Sequence, residues 1–536
     1  MSTVERLLWA LTLAAGTLIA GGVLLAWGLR RRGFRWTWAL LGLPVSLLLW
    51  RVNGLLGPAG FLACGLACRL GAKWHQADIA AGADHAEIAH ARIGIVEVLR
   101  DALDRRRTAG TGDRDGDRGR EGRSWVRGEW LEIGRDGRGR TASIPVGFES
   151  GAHTLIVGAT GAGKTVSEAW IACRLIEAGH GAVVVDPKGD EMLAEQLRAS
   201  AEQCGVPFLE WSPTGSLAYN PYAHGSHTEI ADKALAGERF TEPHYLRQAQ
   251  RYIANAVRAM QAAKIPVTLG SLALHMRPIE LEETARKLDG ELAEEIHDYL
   301  DSLGERGRRE LSGVRDRLAI LAESDARDAL EPRDGHPMLD LHRAVRECAV
   351  VYFRLDADRR LLLSSQIARA VIIDLIGLVA ELQRDPIPTV VLIDEFSAIA
   401  ADQVARLFGR ARSAGVSLIL ATQELADLKT PGGDRRLRDQ VLGNIQTLLA
   451  HRQNVPESAE LLSQVAGTKP VWLTTQQTSD GLLGSNPKGS RRRGHEYAVH
   501  PSLIKRLPTG HALLVTPGQT QPPAIVHVHR PSEARR

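Results

Sequence analysis

Cysteine is scarce in this 536-residue chain. Cys64, Cys68, Cys173, Cys204 and Cys348 form no CxxC pair and no Cys/His cluster at zinc-ligand spacing. That excludes a disulfide scaffold or a zinc ribbon and fits reduced thiols in a cytosolic domain. Net charge is nearly absent too: 66 Lys and Arg against 63 Asp and Glu leave +3. Bulk charge therefore names no nucleic-acid partner, and DNA contact has to come from local basic patches. The basic run Ser490 to Gly494 (SRRRG) has no aromatics alternating with its arginines to stack bases. It lies in a Gly/Ser/Asn-rich stretch from Thr474 that reads as a polar loop, either solvated or tracking phosphates. Compositional bias is missing as well. With 44% hydrophobic and 24% charged residues, the balance is globular, and the length allows two or three domains.

Charge is also missing locally. Leu7 to Leu29 contains no charged residue and is long enough to cross a bilayer, which takes about 20 residues. Arg30, Arg31, Arg32 and Arg35 follow, then a second apolar stretch from Trp36 to Cys68 interrupted by Pro44, Arg51, Gly57 and Pro58. That stretch fits one span near Trp38–Leu56 with an interfacial helix after it, or a re-entrant hairpin. One or three spans would put the four arginines inside and the N-terminus out, whereas two would put them outside against the positive-inside rule, so the number of spans is open. Gln76 to Arg107 has helical periodicity. Thr108 to Arg123 is a Gly/Asp/Arg linker without apolar residues, and the globular part starts near Trp125.

From Thr154 onward, strands alternate with helices. Fully apolar runs occur at Thr154–Val157, Ala182–Val185, Ala349–Phe353, Val390–Ile393, Ser417–Ala421 and Ala512–Val515. Short apolar runs between helices imply a parallel sheet buried on both faces. Glu229 to Leu330 breaks the alternation. Tyr245, Ala249, Tyr252, Ala256 and Met260 share one helical face, as do Leu292, Ile296, Tyr299 and Leu303. The expected organisation is a membrane anchor at 1–73, a helix and linker at 74–124, and an α/β domain at 125–228 and 331–536. An all-α insertion occupies 229–330.

The chemistry lies between these runs. Gly158-Ala159-Thr160-Gly161-Ala162-Gly163-Lys164-Thr165 follows a strand and opens a helix, as a phosphate-binding P-loop requires. Its glycines let backbone N–H groups face a phosphate, and the helix N-terminus adds partial positive charge. Lys164 is expected on the β- and γ-phosphates and the Thr165 hydroxyl on Mg²⁺. Asp394 and Glu395 end the apolar strand Val390–Ile393. Asp394 is read as holding Mg²⁺ and Glu395 as orienting the attacking water. Gln423, at the end of the next strand, is a γ-phosphate sensor candidate or a solvated loop amide. Arg410 and Arg412 close a helix with the spacing Val404, Leu407, Phe408, Ala411. Either is a surface residue or an arginine finger for a neighbouring subunit. The expected substrate and cofactor are ATP and Mg²⁺.

These residues, in this order, resemble the coupling proteins of type IV secretion and conjugation, the TraG/TraD-like DNA-transfer ATPases. The resemblance is carried by the P-loop, by Val183-Val-Val-Asp186-Pro187-Lys188-Gly189-Asp190, and by Tyr219-Asn220-Pro221 before the helical insertion. It continues through Leu392-Ile-Asp394-Glu395-Phe396, Ala421-Thr422-Gln423, and Gly443-Asn444 with a strand-like Thr447–His451. It implies a P-loop NTPase of the RecA/FtsK-HerA branch, with N-terminal transmembrane helices and an inserted all-helical domain. It also implies a homo-hexamer in the inner membrane, with its ATPase in the cytoplasm. Its cargo would be a relaxase on single-stranded DNA, or another secreted protein, passed to type IV channel components. In such a family the trans-acting arginine precedes the Gln strand, which selects Arg412. The short, basic N-terminal connection departs from the family's two clear spans around an external domain. Two alternatives are an FtsK-like double-stranded DNA translocase and a coupling ATPase for protein effectors alone. No winged-helix reader is legible after the last expected strand near Val515, which weighs against the first.

Overall fold

The computed structural model describes residues 20–29, 36–52, 56–80, 125–147, 150–236, 242–331, 337–399, 401–428, 436–479, 486–518 and 521–531. The chain divides into two units, Met1–Gly122 and Arg123–Arg536.

In the first unit, helix Ala20–Leu29 is followed by a 3-10 turn, Trp36–Leu41, and two helices, Gly42–Val52 and Leu56–Ala80. These last two run antiparallel, with Gly42 against Cys64 and Gly60 against Ser46. A Cβ at either glycine would collide with its neighbour, so small residues set the approach of the helices, as in membrane helix pairs. Within 36–68 the described helices therefore pack as an antiparallel pair. Trp36–Leu41 runs directly into the 11-residue helix Gly42–Val52. The arginines at 30–32 and 35, most of Leu7 to Leu29, residues 81–107 and the linker 108–123 lie outside the described residues.

The second unit is built on one sheet. Its strands in chain order are β1 (Val126–Arg127), β2 (Trp130–Asp136), β3 (Thr141–Pro145), β4 (Thr154–Val157), β5 (Gly181–Asp186) and β6 (Phe208–Trp211). After a small separate pair, β7 (Ala218–Tyr219) and β8 (Met338–Leu339), come β9 (Val350–Arg354), β10 (Thr389–Ile393), β11 (Val416–Thr422) and β12 (Thr447–Ala450). A second separate pair, β13 (Thr468–Ser479) and β14 (Asn486–Tyr497), precedes β15 (His511–Val515) and β16 (Ala524–Val528). The sheet order is β1-β2-β16-β15-β12-β4-β11-β10-β5-β9-β6, with β3 beside β2.

From β12 to β6 every pairing is parallel. Alternate residues of these strands feed two cores, as the two-residue period of a strand requires. Leu155, Val157, Val183, Val185, Val391 and Ile393 face one core. Ile156, Ala182, Val184, Val390 and Leu392 face the other. Helices Lys164–Glu177 and Glu191–Cys204 cover the second core with Trp170, Ile171, Leu193 and Leu197. The first core is covered by Leu361–Leu382 and continues into the helices of residues 227–330, through Tyr252, Ile296 and Leu318. Those helices thus share a core with the sheet. Among the described residues, Leu361–Leu382 is the one helix long and apolar enough to cross a bilayer, and it packs in this core.

Two expectations are corrected. Ala512–Val515 is a strand, but it pairs antiparallel with β12, and β16 follows it, so the last strand is not near Val515. The wing β1, β2, β3, β15 and β16 is antiparallel throughout. The described parts of the stretch Thr474 to Gly494, residues 474–479 and 486–494, are strands and not loop, since β13 and β14 pair antiparallel from Thr468↔Tyr497 to Ser479↔Asn486. Ladder hydrogen bonds come from the backbone and need no apolar side chains, so a polar composition hid the pairing.

Candidate nucleotide site

The parallel strands β4, β11, β10 and β5 end on one edge of the sheet, and the expected site residues follow them there. After β4 the chain turns tightly. Gly158 N–H donates to Thr422 O at 3.2 Å and Ala159 N–H to Arg452 O at 2.9 Å. Gly161 and Gly163 have φ of +73° and +108°, conformations open to glycine. A Cβ on Gly158 would meet His451 Cβ at 2.9 Å, and one on Gly163 the Gly510 backbone at 3.0 Å. Ala159 and Ala162 are buried, while Thr160 and Gly161 face solvent. From outside, Gly510 N–H donates to Ala162 O at 3.1 Å and the Thr509 hydroxyl to Gly161 O at 3.2 Å. The loop's carbonyls are thereby held outward. Gly163 caps helix Lys164–Glu177 with no side-chain hydrogen bond to the helix's first N–H groups. An uncapped helix N-terminus behind a glycine cradle fits a phosphate.

Lys164 is 8% exposed, and its ammonium faces three carboxylates. It pairs with Asp394, donates to Glu395 Oε1 at 2.9 Å and lies 3.9 Å from Glu168 Oε1. Burial alone would lower the Lys164 pKa; Glu168, Asp394 and Glu395 outweigh it and hold the lysine more firmly protonated than usual. Burial works to raise the Glu395 pKa, yet Lys164 and Lys188 keep it below the usual carboxylate range. Asp394 goes the other way. Burial raises it, and the repulsion of Glu395 and Asp186 adds to that against Lys164. Glu168 is fully buried with neither oxygen hydrogen-bonded, and burial plus the charge of Asp394 push its carboxyl well up. The cluster is electrostatically strained. Its backbone is strained too: Glu395 sits at φ +45°, a left-handed conformation costing on the order of 1–3 kcal/mol away from glycine. The Asp394 carboxylate accepts from Glu395 N–H at 2.9 Å and steadies that turn.

Gln423 stands one residue beyond β11, half-buried, on the same edge. Gln453 Nε2 donates to its carbonyl at 2.9 Å. Thr165 is half-buried in the first turn of the helix. Arg412 is elsewhere. It precedes β11 at the opposite edge of the sheet, exposed, with its carbonyl accepting from Gly151 N–H at 2.8 Å. The seven residues of β11 put roughly 20 Å between that edge and the P-loop edge. Arg412 does not reach its own Lys164.

Three contributors were given no role at the site from the sequence, although Lys188 and His451 lie in runs that carry the family resemblance. Glu168 is one helical turn beyond Lys164. Lys188 donates to Glu395 Oε1 at 2.9 Å from the loop after β5. His451 is fully buried behind Gly158, its Nδ1 donating to His511 O at 3.0 Å and its Nε2 2.9 Å from the Ser167 hydroxyl. Burial, with Lys164 adding to it, pushes its pKa down to about 4 against the hydrogen bond to His511. The imidazole is a neutral strut under the loop.

Two family models match this sequence. One, described as the type IV secretion-system coupling protein DNA-binding domain, spans residues 139–327. The other, described as the TraM recognition site of TraD and TraG, spans residues 388–509. The chain belongs to the type IV secretion-system coupling protein family. Solved structures agree in fold. The bacterial conjugative coupling protein TrwBdeltaN70 superposes with a TM-score of 0.54 at 15% identity, covering 77% of this chain and 95% of that one. TrwB in complex with ADP and Mg²⁺ gives 0.50 at 17%, covering 78% and 97%. VirB4 of Thermoanaerobacter pseudethanolicus gives 0.50 at 15%, covering 77% and 99%. No curated protein matches the sequence. This coupling protein therefore has the fold of P-loop ATPases, with the strained carboxylate cluster at the fold's phosphate-binding edge.

Proposed function

We propose that this coupling protein is a membrane-anchored ATPase that delivers relaxase-bound single-stranded DNA, secreted protein, or both to a type IV secretion channel. The observation carrying the reading is Lys164, buried among Asp394, Glu395 and Glu168 at an uncapped helix N-terminus. Three carboxylates around one ammonium are poor partners for one another. A nucleotide phosphate would draw Lys164 away and free Asp394, which with the Thr165 hydroxyl would hold Mg²⁺, and Glu395, which would orient water. Bound Mg²⁺ neutralises charge on the phosphates. Gln423 contacts the γ-phosphate or the water from the end of β11. A solved TrwB holds ADP and Mg²⁺, which supports the same pair here.

Arg412 supports a homo-hexamer. Exposed at the far edge of its own sheet, it is available to complete a neighbour's site as an arginine finger. The N-terminal helix pair supports anchoring in the inner membrane, since Leu40, Leu41, Val45, Leu47 and Leu62 point their apolar side chains outward. The match over 139–327 supports DNA as cargo, and that over 388–509 supports a partner of the relaxase complex and its channel. The test is ATP turnover by the full chain in detergent, with and without single-stranded DNA, beside transfer in a mating assay. The reading expects DNA to raise turnover in a salt-sensitive way, because phosphate contacts release counterions. It expects Lys164→Ala to abolish both turnover and transfer. Transfer at the wild-type level by Lys164→Ala contradicts it.

A further inference from the structure

Lys188 has no part in the mechanism just given, yet the fold aims it at the centre of that mechanism. It stands on the turn between β5 and helix Glu191–Cys204. Its ammonium shares Glu395 Oε1 with Lys164, each at 2.9 Å. The backbone of this turn is over-determined. The Asp186 carboxylate accepts the N–H groups of Lys188 at 2.8 Å, Gly189 at 2.9 Å and Asp190 at 2.7 Å, and the Tyr352 hydroxyl at 2.5 Å. Ala357 N–H donates to Pro187 O at 2.7 Å, and Arg354 Nη2 to Gly189 O at 3.1 Å. Gly189 has φ +71°, and a Cβ there would meet the Arg354 side chain at 2.8 Å, so the turn requires glycine. The Lys188 side chain, by contrast, is 48% exposed against 10% for Glu395. A rigid turn thus carries a lysine whose stem is free to swing into water.

We propose that Lys188 is a positioning residue that restrains Glu395, keeping its carboxylate turned from the attacking water until the pair opens. The inference rests on Glu395 being the residue that orients that water. Lys164 leaves Glu395 for the phosphates when nucleotide binds, whereas Lys188 has no phosphate-binding loop around it and stays. An ammonium on Oε1 occupies an acceptor site that the water needs and lowers the carboxylate's basicity. Half-exposed ion pairs are weak, so turnover itself can open this one. Lys188 is in this way a brake on basal hydrolysis, and the turn below it fixes where the brake acts.

The experiment compares wild type, Lys188→Met, Lys188→Arg and Glu395→Gln as full-length chains in detergent. It measures kcat and KM for ATP, binding of a non-hydrolysable ATP analogue, and thermal unfolding. Lys188→Met keeps the stem and loses the charge. The expected result is a basal kcat about 3- to 10-fold above wild type, the scale of a weak ion pair. KM and the melting temperature should be unchanged, and Lys188→Arg should return to the wild-type rate. A merely structural lysine would not raise kcat alone, nor would arginine restore it. A kcat for Lys188→Met at or below wild type, with Glu395→Gln inactive, overturns the brake and leaves the assignment of Glu395 standing. Hydrolysis by Glu395→Gln at the wild-type rate overturns both.

Discussion

Among the described residues of the second unit, two lysines lie buried, Lys164 at 8% and Lys233 at 5% exposure, in opposite kinds of company. Lys233 is complete. Its ammonium donates to Pro221 O at 3.1 Å, His224 O at 2.6 Å and Asp374 Oδ1 at 2.6 Å. Asp374 in turn accepts the Tyr219 hydroxyl at 3.0 Å and has His342 Nε2 at 3.4 Å. Burial pushes the Asp374 pKa up, but His342 and Lys233 outweigh it and hold it below the usual range. One cation meets one anion with every donor used, where the helices of 227–330 join helix Leu361–Leu382. Lys164 faces three carboxylates that repel one another: burial and mutual repulsion push Asp394 and Glu168 toward the neutral acid, and Glu168 has no hydrogen-bond partner. A completed pair has nothing to gain from a ligand. A strained one is relieved when a phosphate takes the lysine and a cation takes the carboxylate.

The largest expected effect separates the two lysines by stability. Lys233→Ala leaves Asp374 buried and uncompensated and should cost about 3–5 kcal/mol in denaturant unfolding. Lys164→Ala should cost less than half of that, because Asp394 and Glu168 already favour protonation and can shed their charge. The same substitution should remove the stabilisation ATP gives, about 2.7 kcal/mol at 100 times Kd. Equal costs for the two would break the comparison.

Next comes pH. His451 and His153 are both pushed down to about 4 from 6.5, chiefly by burial. A depressed pKa means the folded state binds fewer protons, so the stability is present above pH 6.5 and is lost as pH falls toward 4. His451 alone accounts for roughly 3 kcal/mol over that window. His451→Gln should flatten the profile, as followed by thermal unfolding from pH 7 to pH 4. An unchanged slope would remove His451 as a neutral strut.

A smaller effect tests the opposite edge of the sheet. Mixing Arg412→Ala with Lys164→Ala chains should recover part of the ATP turnover that each lacks, since each supplies the other's missing half at mixed interfaces. No recovery in mixed oligomers shown to form by crosslinking would count against Arg412 acting in trans. The smallest effect concerns Glu168. Burial and Asp394 push its carboxyl up, so Glu168→Gln mimics the neutral acid and should change stability by under about 1 kcal/mol. A loss of several kcal/mol would mean that Lys164 needs the charge.

The sequence was legible where chemistry and burial coincide. Strands β4, β5, β9, β10 and β11 are apolar on both faces because helices cover both, so each reads as an unbroken run. The P-loop and the Asp394–Glu395 pair follow those strands directly. The antiparallel wing was hidden by composition: Trp130–Asp136 (WLEIGRD) has one covered face and charged residues on the other. The hairpin of β13 and β14 was hidden because its strands are polar. Lys188 and His451 reach the site across 207 and 284 residues, to Glu395 and Ser167. No local pattern records such a distance. Arg412 was legible as a candidate only through its place before the Gln strand, and its edge of the sheet became visible only with the fold.

The most direct test of the central claim is single-turnover ATP hydrolysis by Glu395→Gln beside wild type, with nucleotide binding measured on the same samples. The strained cluster as a catalytic site predicts that Glu395→Gln binds ATP and Mg²⁺ at least as tightly as wild type, because Lys164 has one fewer charge to leave. It also predicts hydrolysis slower by about 100-fold or more, the scale of a lost general base. Hydrolysis at the wild-type rate with binding intact would contradict it.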